Sequence, residues 1–169
     1  MNEKLVRLIN DQINAELYSA YLYLDFSNYY YERGLDGFAN WYDVQTQEEI
    51  DHAMLMRKYL HNNGEKVVFS EIRKPDIKLK NDLDPLEAAL KHEQYVTSLI
   101  NKLYKAAADE DDFRTMQFLD WFVKEQCEEE ENAEGMIRKY GLFGSDPKGL
   151  FELNKELLER KHSAPSLKL

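Results

Sequence analysis

Glu49 and His52 stand three residues apart in the stretch QTQEEIDH, a spacing that on a helix puts a carboxylate and an imidazole on one face. Aimed at one point, the two groups could hold a divalent cation. Alone the pair is a weak signal, because Glu and His meet at this spacing by chance in many helices. Its weight comes from company. Glu16, Glu93, Gln126 and Glu129 occupy inward positions of three other helical stretches, each near the middle of its stretch. A mid-helix position keeps nearly the same height whether its helix points up or down, so in a bundle these side chains converge at one level. No Lys or Arg shares their inward stripes. Burying even one unpaired carboxylate costs several kcal/mol, and two divalent cations would offset that charge directly. Carboxylate oxygens with one imidazole suit iron or manganese better than a thiolate-preferring metal, with zinc as a further occupant.

The elements that must position these residues are helices, and the fold class expected is all-α. The first, over residues 3–33, has Asn2 as its N-cap. It carries Leu5, Ile9, Gln12, Ile13, Glu16, Ala20, Tyr23 and Ser27 at intervals of three and four, and stops at Gly34. The second, over 37–63, is capped by Asp36 and ended by Gly64, with Phe38, Trp41, Gln45, Glu48, Glu49, His52, Met56 and Tyr59 on one broad face. The very short turn between them makes the pair antiparallel. Residues 65–83 lose the helical period and contain Pro75. A hairpin is conceivable there, but an ordered, extended crossover is the preferred reading, and it makes the second and third helices parallel.

Asp84-Pro85-Leu86-Glu87 opens the third helix, over 85–108, with Asp84 as the expected cap. The acidic turn 109–112 caps the fourth, over 113–140, expected to stop at Gly141. Gln126 and Glu129 fall in its apolar seam, and Glu125 and Glu128 fall just beside it. A shorter fifth helix, over 147–160, has a strong apolar side that must be covered at a bundle end or in a subunit contact. The expectation is one domain over residues 1–163, a four-helix bundle with a long crossover and a short fifth helix, followed by a loose tail over 164–169.

The formal net charge of -10, from 32 acidic against 22 basic side chains, argues against a nucleic-acid partner and suits a protein that attracts cations. No stretch approaches the roughly 20 apolar residues of a membrane span. The first residues lack the unbroken apolar run of a secretory signal, so a cytoplasmic location is expected. The single cysteine, Cys127, permits no intrachain disulfide and reads as a small structural residue pointing off the seam. His61, His92 and His162 read as surface or packing residues, with His92 a possible support for its neighbour Glu93.

Four pieces together make a specific pattern: Glu16 with Tyr23 in INAELYSAYLYL, Glu49 and His52 in EEIDH, Glu93 in HEQYV, and Trp121 to Glu129 in WFVKEQCEE. In these the chain resembles the bacterial-type non-haem ferritins, from its first helix through its fifth. Glutamates with Glu-x-x-His are already known as the ligand set of ferritin-like di-iron bundles. The resemblance implies one iron at Glu16, Glu49 and His52, and a second at Glu49, Glu93 and Glu129 with Gln126 nearby. It implies a third iron site at Glu48, Glu125, Glu128 and Glu129, with Tyr23 as a redox-active or hydrogen-bonding tyrosine. It further implies oxidation of Fe(II) by O2 or H2O2, mineral storage, and a homo-oligomeric shell of twenty-four subunits with the fifth helix at its fourfold axes.

Departures exclude close relatives. A second Glu-x-x-His is absent around Gln126 to Glu129, and Ile50 stands where bacterioferritins place a haem-ligating Met, so no haem is expected. One cysteine cannot form the Cys-x-x-Cys iron module of rubrerythrins. The competing readings are a non-storing di-iron oxidase or peroxide scavenger, and a structural bundle without metal.

Overall fold

The structure, a computed structural model, describes all 169 residues. Five helices follow one another: α1 (Glu3–Glu32), α2 (Asp36–Asn62), α3 (Asp84–Asp109), α4 (Phe113–Phe143) and α5 (Pro147–Leu157). The all-α bundle with a fifth short helix is therefore as expected, and no strand forms in the crossover. No helix is long and apolar enough to cross a membrane.

Two apolar clusters fill the bundle. One joins Leu5, Ile9 and Ile13 of α1 to Met56 and Leu60 of α2, Val96 and Ile100 of α3, and Phe118 and Phe122 of α4. The other joins Leu22 and Phe26 of α1 to Phe38 and Tyr42 of α2, Leu86 of α3, Met136 of α4 and Leu153 and Leu157 of α5. The first cluster takes the N-terminal parts of α1 and α4 and the C-terminal parts of α2 and α3. Hence α2 and α3 run parallel, as the long crossover requires. Between the clusters lies a level occupied by Glu16, Glu49, His52, Glu93, Gln126 and Glu129, all buried.

The crossover spans the length of the bundle along the outside of α1. Asn10 accepts from the Val68 N–H at 2.7 Å and donates to the Lys66 carbonyl at 3.2 Å. Arg73 lies 4.4 Å from the centroid of the Tyr18 ring, and the Tyr30 hydroxyl donates to the Asp82 carbonyl at 2.7 Å. Asn10 and Tyr30 stand far apart along the helix, so a segment without secondary structure has polar backbone groups satisfied at separate points, with the Arg73–Tyr18 contact between them.

The helix ends differ from expectation in several places, each for a local reason. Gly34 and Gly64 have φ of 72° and 71° and end α1 and α2 as left-handed residues. Asp36, expected as the cap of α2, is its first residue; the N–H groups of Gly37 and Phe38, which have no partner within the first turn, donate instead to Asn154 Oδ1 of α5, at 2.8 and 3.3 Å. Asp84 likewise lies inside α3, its carboxylate accepting from the N–H groups of Lys80 and Asn81 in the preceding turn. Asp112 does cap α4, accepting from the Thr115 N–H at 3.0 Å. Gly141 does not stop α4, which runs on to Phe143; one glycine in a helix costs only about 1 kcal/mol.

α5 ends at Leu157 rather than residue 160, because Asn40 Nδ2 captures the carbonyls of Leu157, Leu158 and Arg160. The tail after it, expected to be loose, lies against the bundle: Trp121 Nε1 donates to Ser166 Oγ at 3.0 Å and Leu167 packs on the first apolar cluster.

Asn154 thus caps α2 across the fold. Asn154→Ala should cost about 1–2 kcal/mol, the usual loss for an N-cap. Gly37→Ala should cost more, since its added Cβ would lie 1.7 Å from the Asn154 carbonyl oxygen and would push α5 off the bundle. Denaturant midpoints of the two variants against the parent chain test the order.

Candidate metal centre

The polar level is held by one residue or pair from each of four helices. Glu16 comes from α1, Glu49 and His52 from α2, Glu93 from α3, and Gln126 and Glu129 from α4. Each is at most 5% exposed, and no Lys or Arg is among the buried residues. The convergence that mid-helix placement predicts is realised, because α2 and α3 are parallel to each other and antiparallel to α1 and α4.

Two groups of potential ligand atoms form. In the inner one, Glu16, Glu49 and His52 bring one ligand atom each within 4.8 Å of the others, and His52 Nδ1 lies 3.4 Å from Glu49 Oε2. In the outer one, His52, Glu125 and Glu129 do the same, with His52 Nε2 at 3.8 Å from Glu125 Oε1. His52 therefore belongs to both groups, offering one ring nitrogen toward Glu49 and the other toward Glu125. Glu93 borders the inner group without joining it: its oxygens accept from the Tyr23 hydroxyl and, at 3.1 Å, from Gln126 Nε2. Glu48 and Glu128 belong to neither group. Glu48 is paired with Arg160 at 2.7 Å, and Glu128 is exposed.

Amides support the carboxylates one oxygen at a time. Gln12 Nε2 donates to Glu16 Oε1 at 2.9 Å, and Gln45 Nε2 donates to Glu129 Oε2 at 2.9 Å. Both glutamines stand four residues before an inner glutamate in their own helix, a spacing visible in the sequence, but their role depends on which oxygen is left over. Glu16 Oε2 is that oxygen: it is buried and has no hydrogen-bond partner. A buried carboxylate oxygen facing other carboxylates without a donor is the donor set of a cation site, and the residues fit a hard divalent ion. A cavity of about 10 Å3, bordered by Glu93, Glu129 and Gln45, has room for about one water.

The electrostatics follow from burial. Desolvation, and then the charge of Glu93, pushes the Glu129 carboxyl up to about 8. Desolvation lifts Glu93 to about 7, against hydrogen bonds from Tyr23 and Gln126 that lower it. Desolvation and Glu93 also raise Glu49. Burial lowers His52, but hydrogen bonds to Glu125 and Glu49 outweigh it and its net shift is upward. Each group is displaced in the direction that a bound cation would reverse.

A family model for the ferritin-like domain matches residues 6–143. The chain belongs to the ferritin family. It is 37% identical to the bacterial non-heme ferritin of Campylobacter jejuni, over 89% of this chain and 90% of that one. It is 36% identical to a probable bacterial non-heme ferritin-like protein of Haemophilus influenzae, over 93% and 95% of the two chains. Among solved structures, it is similar to an open-pore ferritin of the hyperthermophilic archaeon Archaeoglobus fulgidus, with a TM-score of 0.92 and 42% identity over 95% and 98% of the two chains.

Other residues of this ferritin chain settle differently from the sequence reading. Cys127 points off the seam as expected but is exposed rather than packed, since it follows Gln126 on the outer side of α4. His92 packs against Tyr18 and Tyr23 and lies 2.8 Å from Ser19 Oγ, with burial lowering it to about 4. Arg160, which reaches Glu48 and Gln45 from beyond α5, carries no local signal in the sequence.

The raised carboxyls set a pH dependence. An ordinary glutamate ionises near 4.5, so with folded values near 7 and 8 the native state keeps protons that the unfolded chain has released. Stability of the metal-free protein therefore falls as pH rises through this window. Above 6.5, where an ordinary His is neutral, His92 adds no opposing slope. Denaturation at pH 8.5 should show a loss on the order of 2 kcal/mol against pH 6.5. Glu129→Gln should flatten the slope, and Zn(II) at pH 8.5 should restore the midpoint. A midpoint that rises with pH would contradict the burial of these groups.

Proposed function

We propose that this chain stores and detoxifies iron as a bacterial-type non-haem ferritin. It oxidises Fe(II) at an intrasubunit dinuclear centre and deposits the product as ferric oxyhydroxide inside a closed shell. The observation that carries the reading is the buried, cation-free convergence of Glu16, Glu49, His52, Glu93 and Glu129, with one oxygen of Glu16 left without a donor.

Fe(II) is the substrate, and the resemblance to the bacterial-type non-haem ferritins supplies the roles of the residues. Glu16, Glu49 and His52 hold one ion; Glu49, Glu93 and Glu129 hold its neighbour. Two Fe(II) ions give two electrons to O2, which with two protons leaves as H2O2; with H2O2 as oxidant, the same two electrons and two protons give two waters. Carboxylates are hard ligands that favour Fe(III) over Fe(II), and an anionic pocket lowers the cost of the higher charge. Gln126 adds no charge, so it positions Glu93 without adding to the attraction that would retain the oxidised product. Tyr23, bonded to Glu93, fixes that carboxylate's orientation and is a redox-capable side chain in direct contact with the centre. By the same resemblance Glu125 and Glu129, which share a group with His52, form the third iron site with Glu48 and Glu128, two carboxylates that stand outside that group in the structure.

The shell reading rests on apolar surface. Leu142, Phe151 and Leu158, in and beside α5, are 74%, 64% and 51% exposed, large apolar side chains of the kind that a subunit contact covers. Closed symmetric assembly covers it, and twenty-four copies make the shell.

Glu49→Ala should abolish rapid aerobic Fe(II) oxidation while the assembly still forms, at roughly half a megadalton by light scattering. Fast oxidation that survives in this variant would sink the assignment of the centre. Oxidation by a small oligomer that retains no iron would instead favour a non-storing oxidase or peroxide scavenger.

A further inference from the structure

Beyond α5 the chain turns back over α2 and is pinned there. Asn40 Nδ2 holds the carbonyls of Leu157 and Arg160 at 3.0 and 3.1 Å. The Arg160 guanidinium lies over Trp41, its Cζ 3.9 Å from the ring centroid, and donates to the Trp41 carbonyl at 3.1 Å. The other Nη donates to Gln45 Oε1 and, at 2.7 Å, to Glu48 Oε2. Further along, His162 Nε2 lies 2.7 Å from Asp51 Oδ2.

Three features separate Arg160 from an ordinary surface ion pair. Its side chain is 17% exposed and that of Glu48 22%, so water screens the pair weakly. It is the one Lys or Arg paired with a carboxylate beside the polar level. And Glu48, adjacent in sequence to Glu49, is kept out of the group formed by His52, Glu125 and Glu129 while its Oε2 faces the guanidinium. Gln45 extends the reach inward: an amide offers its oxygen on one side and its NH2 on the other, so with Oε1 on Arg160 it presents Nε2 to Glu129 at 2.9 Å.

We propose that Arg160 is the resident counter-cation of the outer group, holding Glu48 away from His52, Glu125 and Glu129, so that a metal ion there gains Glu48 as a ligand only by displacing the guanidinium. The inference rests on the reading of that group as a metal site. Arg160 is thereby a positioning residue: it keeps the outer site weaker than the inner one, by competition for one ligand and by like-charge repulsion.

The test is calorimetric titration of the assembled, metal-free protein with Zn(II), which binds carboxylate–imidazole sites without redox chemistry. Arg160→Gln should raise Zn(II) affinity at the outer group by about tenfold or more, equivalent to roughly 1.4 kcal/mol, and leave the inner isotherm unchanged. The gain should vanish when Glu48→Gln is added, and Arg160→Lys should fall between parent and Arg160→Gln. Asn40→Ala, which loosens the strap and retains the charge, should shift affinity the same way and covers the case in which Arg160→Gln misfolds.

The chain's two tryptophans are Trp41 and Trp121, so in a Trp121→Phe background Trp41 emission should change as Zn(II) fills the outer group, and should not change when Arg160→Gln is also present. An outer affinity that falls or stays level in Arg160→Gln overturns the proposal, because a merely supporting arginine would give that result. So does an emission that stays constant as the outer group fills. Failure of the metal reading itself looks different: Zn(II) binding would be insensitive to Glu49→Gln and Glu125→Gln alike.

Discussion

Carboxylates buried among one another, with no Lys or Arg to answer them, constrain this molecule more than any other feature. Glu16, Glu49, Glu93 and Glu129 are each at most 5% exposed. In a low-dielectric interior their mutual repulsion and lost hydration work against folding. The bundle tolerates them because they form a single level, with an apolar cluster of large side chains above and another below. Those clusters supply the stabilisation that the polar level withdraws, and their packing fixes the register that brings the four helices' polar residues to one height.

Within the level, the supporting groups are neutral. Gln12, Gln45 and Gln126 each donate an N–H to one carboxylate, and Tyr23 donates its hydroxyl to Glu93. Neutral donors orient a carboxylate without cancelling its charge, so attraction for a cation is retained. A lysine in the same place would satisfy the oxygens and abolish the site. Arg160 shows the contrast: the guanidinium sits at the edge of the level, on Glu48, a carboxylate outside both groups of potential ligands.

The crossover over residues 63–83 is the topological counterpart of this chemistry. It makes α2 and α3 parallel and leaves α1 and α4 to run the other way, so that both apolar clusters draw on all four helices. Its own backbone is held by side chains of α1 rather than by a strand partner, which is why a segment with alternating apolar residues forms no hairpin. The same economy appears at the start of α2, where Asn154 of α5 takes the place of a local cap.

Much was therefore determined by the sequence alone. The spacing of Glu16, Glu49, His52, Glu93, Gln126 and Glu129 on four periodic stretches carried the helices, the ferritin likeness and the buried level, because helical period and mid-helix height are local properties, while the lengths of the connections carried the parallel and antiparallel arrangement. Helix ends were less legible, since Asp36, Asp84 and Gly141 all have the chemistry of a terminus and only the competing partner decides whether it is used. Tertiary structure alone decided that His52 faces two groups, that Glu16 keeps an unpartnered oxygen, that Glu48 and Glu128 stand apart from Glu125, and that the tail carries Arg160 back onto α2. Each of these depends on which atom of one side chain meets an atom more than a hundred residues away or on another helix, and a pattern of residue types along the chain does not encode which of two oxygens, or two ring nitrogens, is left free.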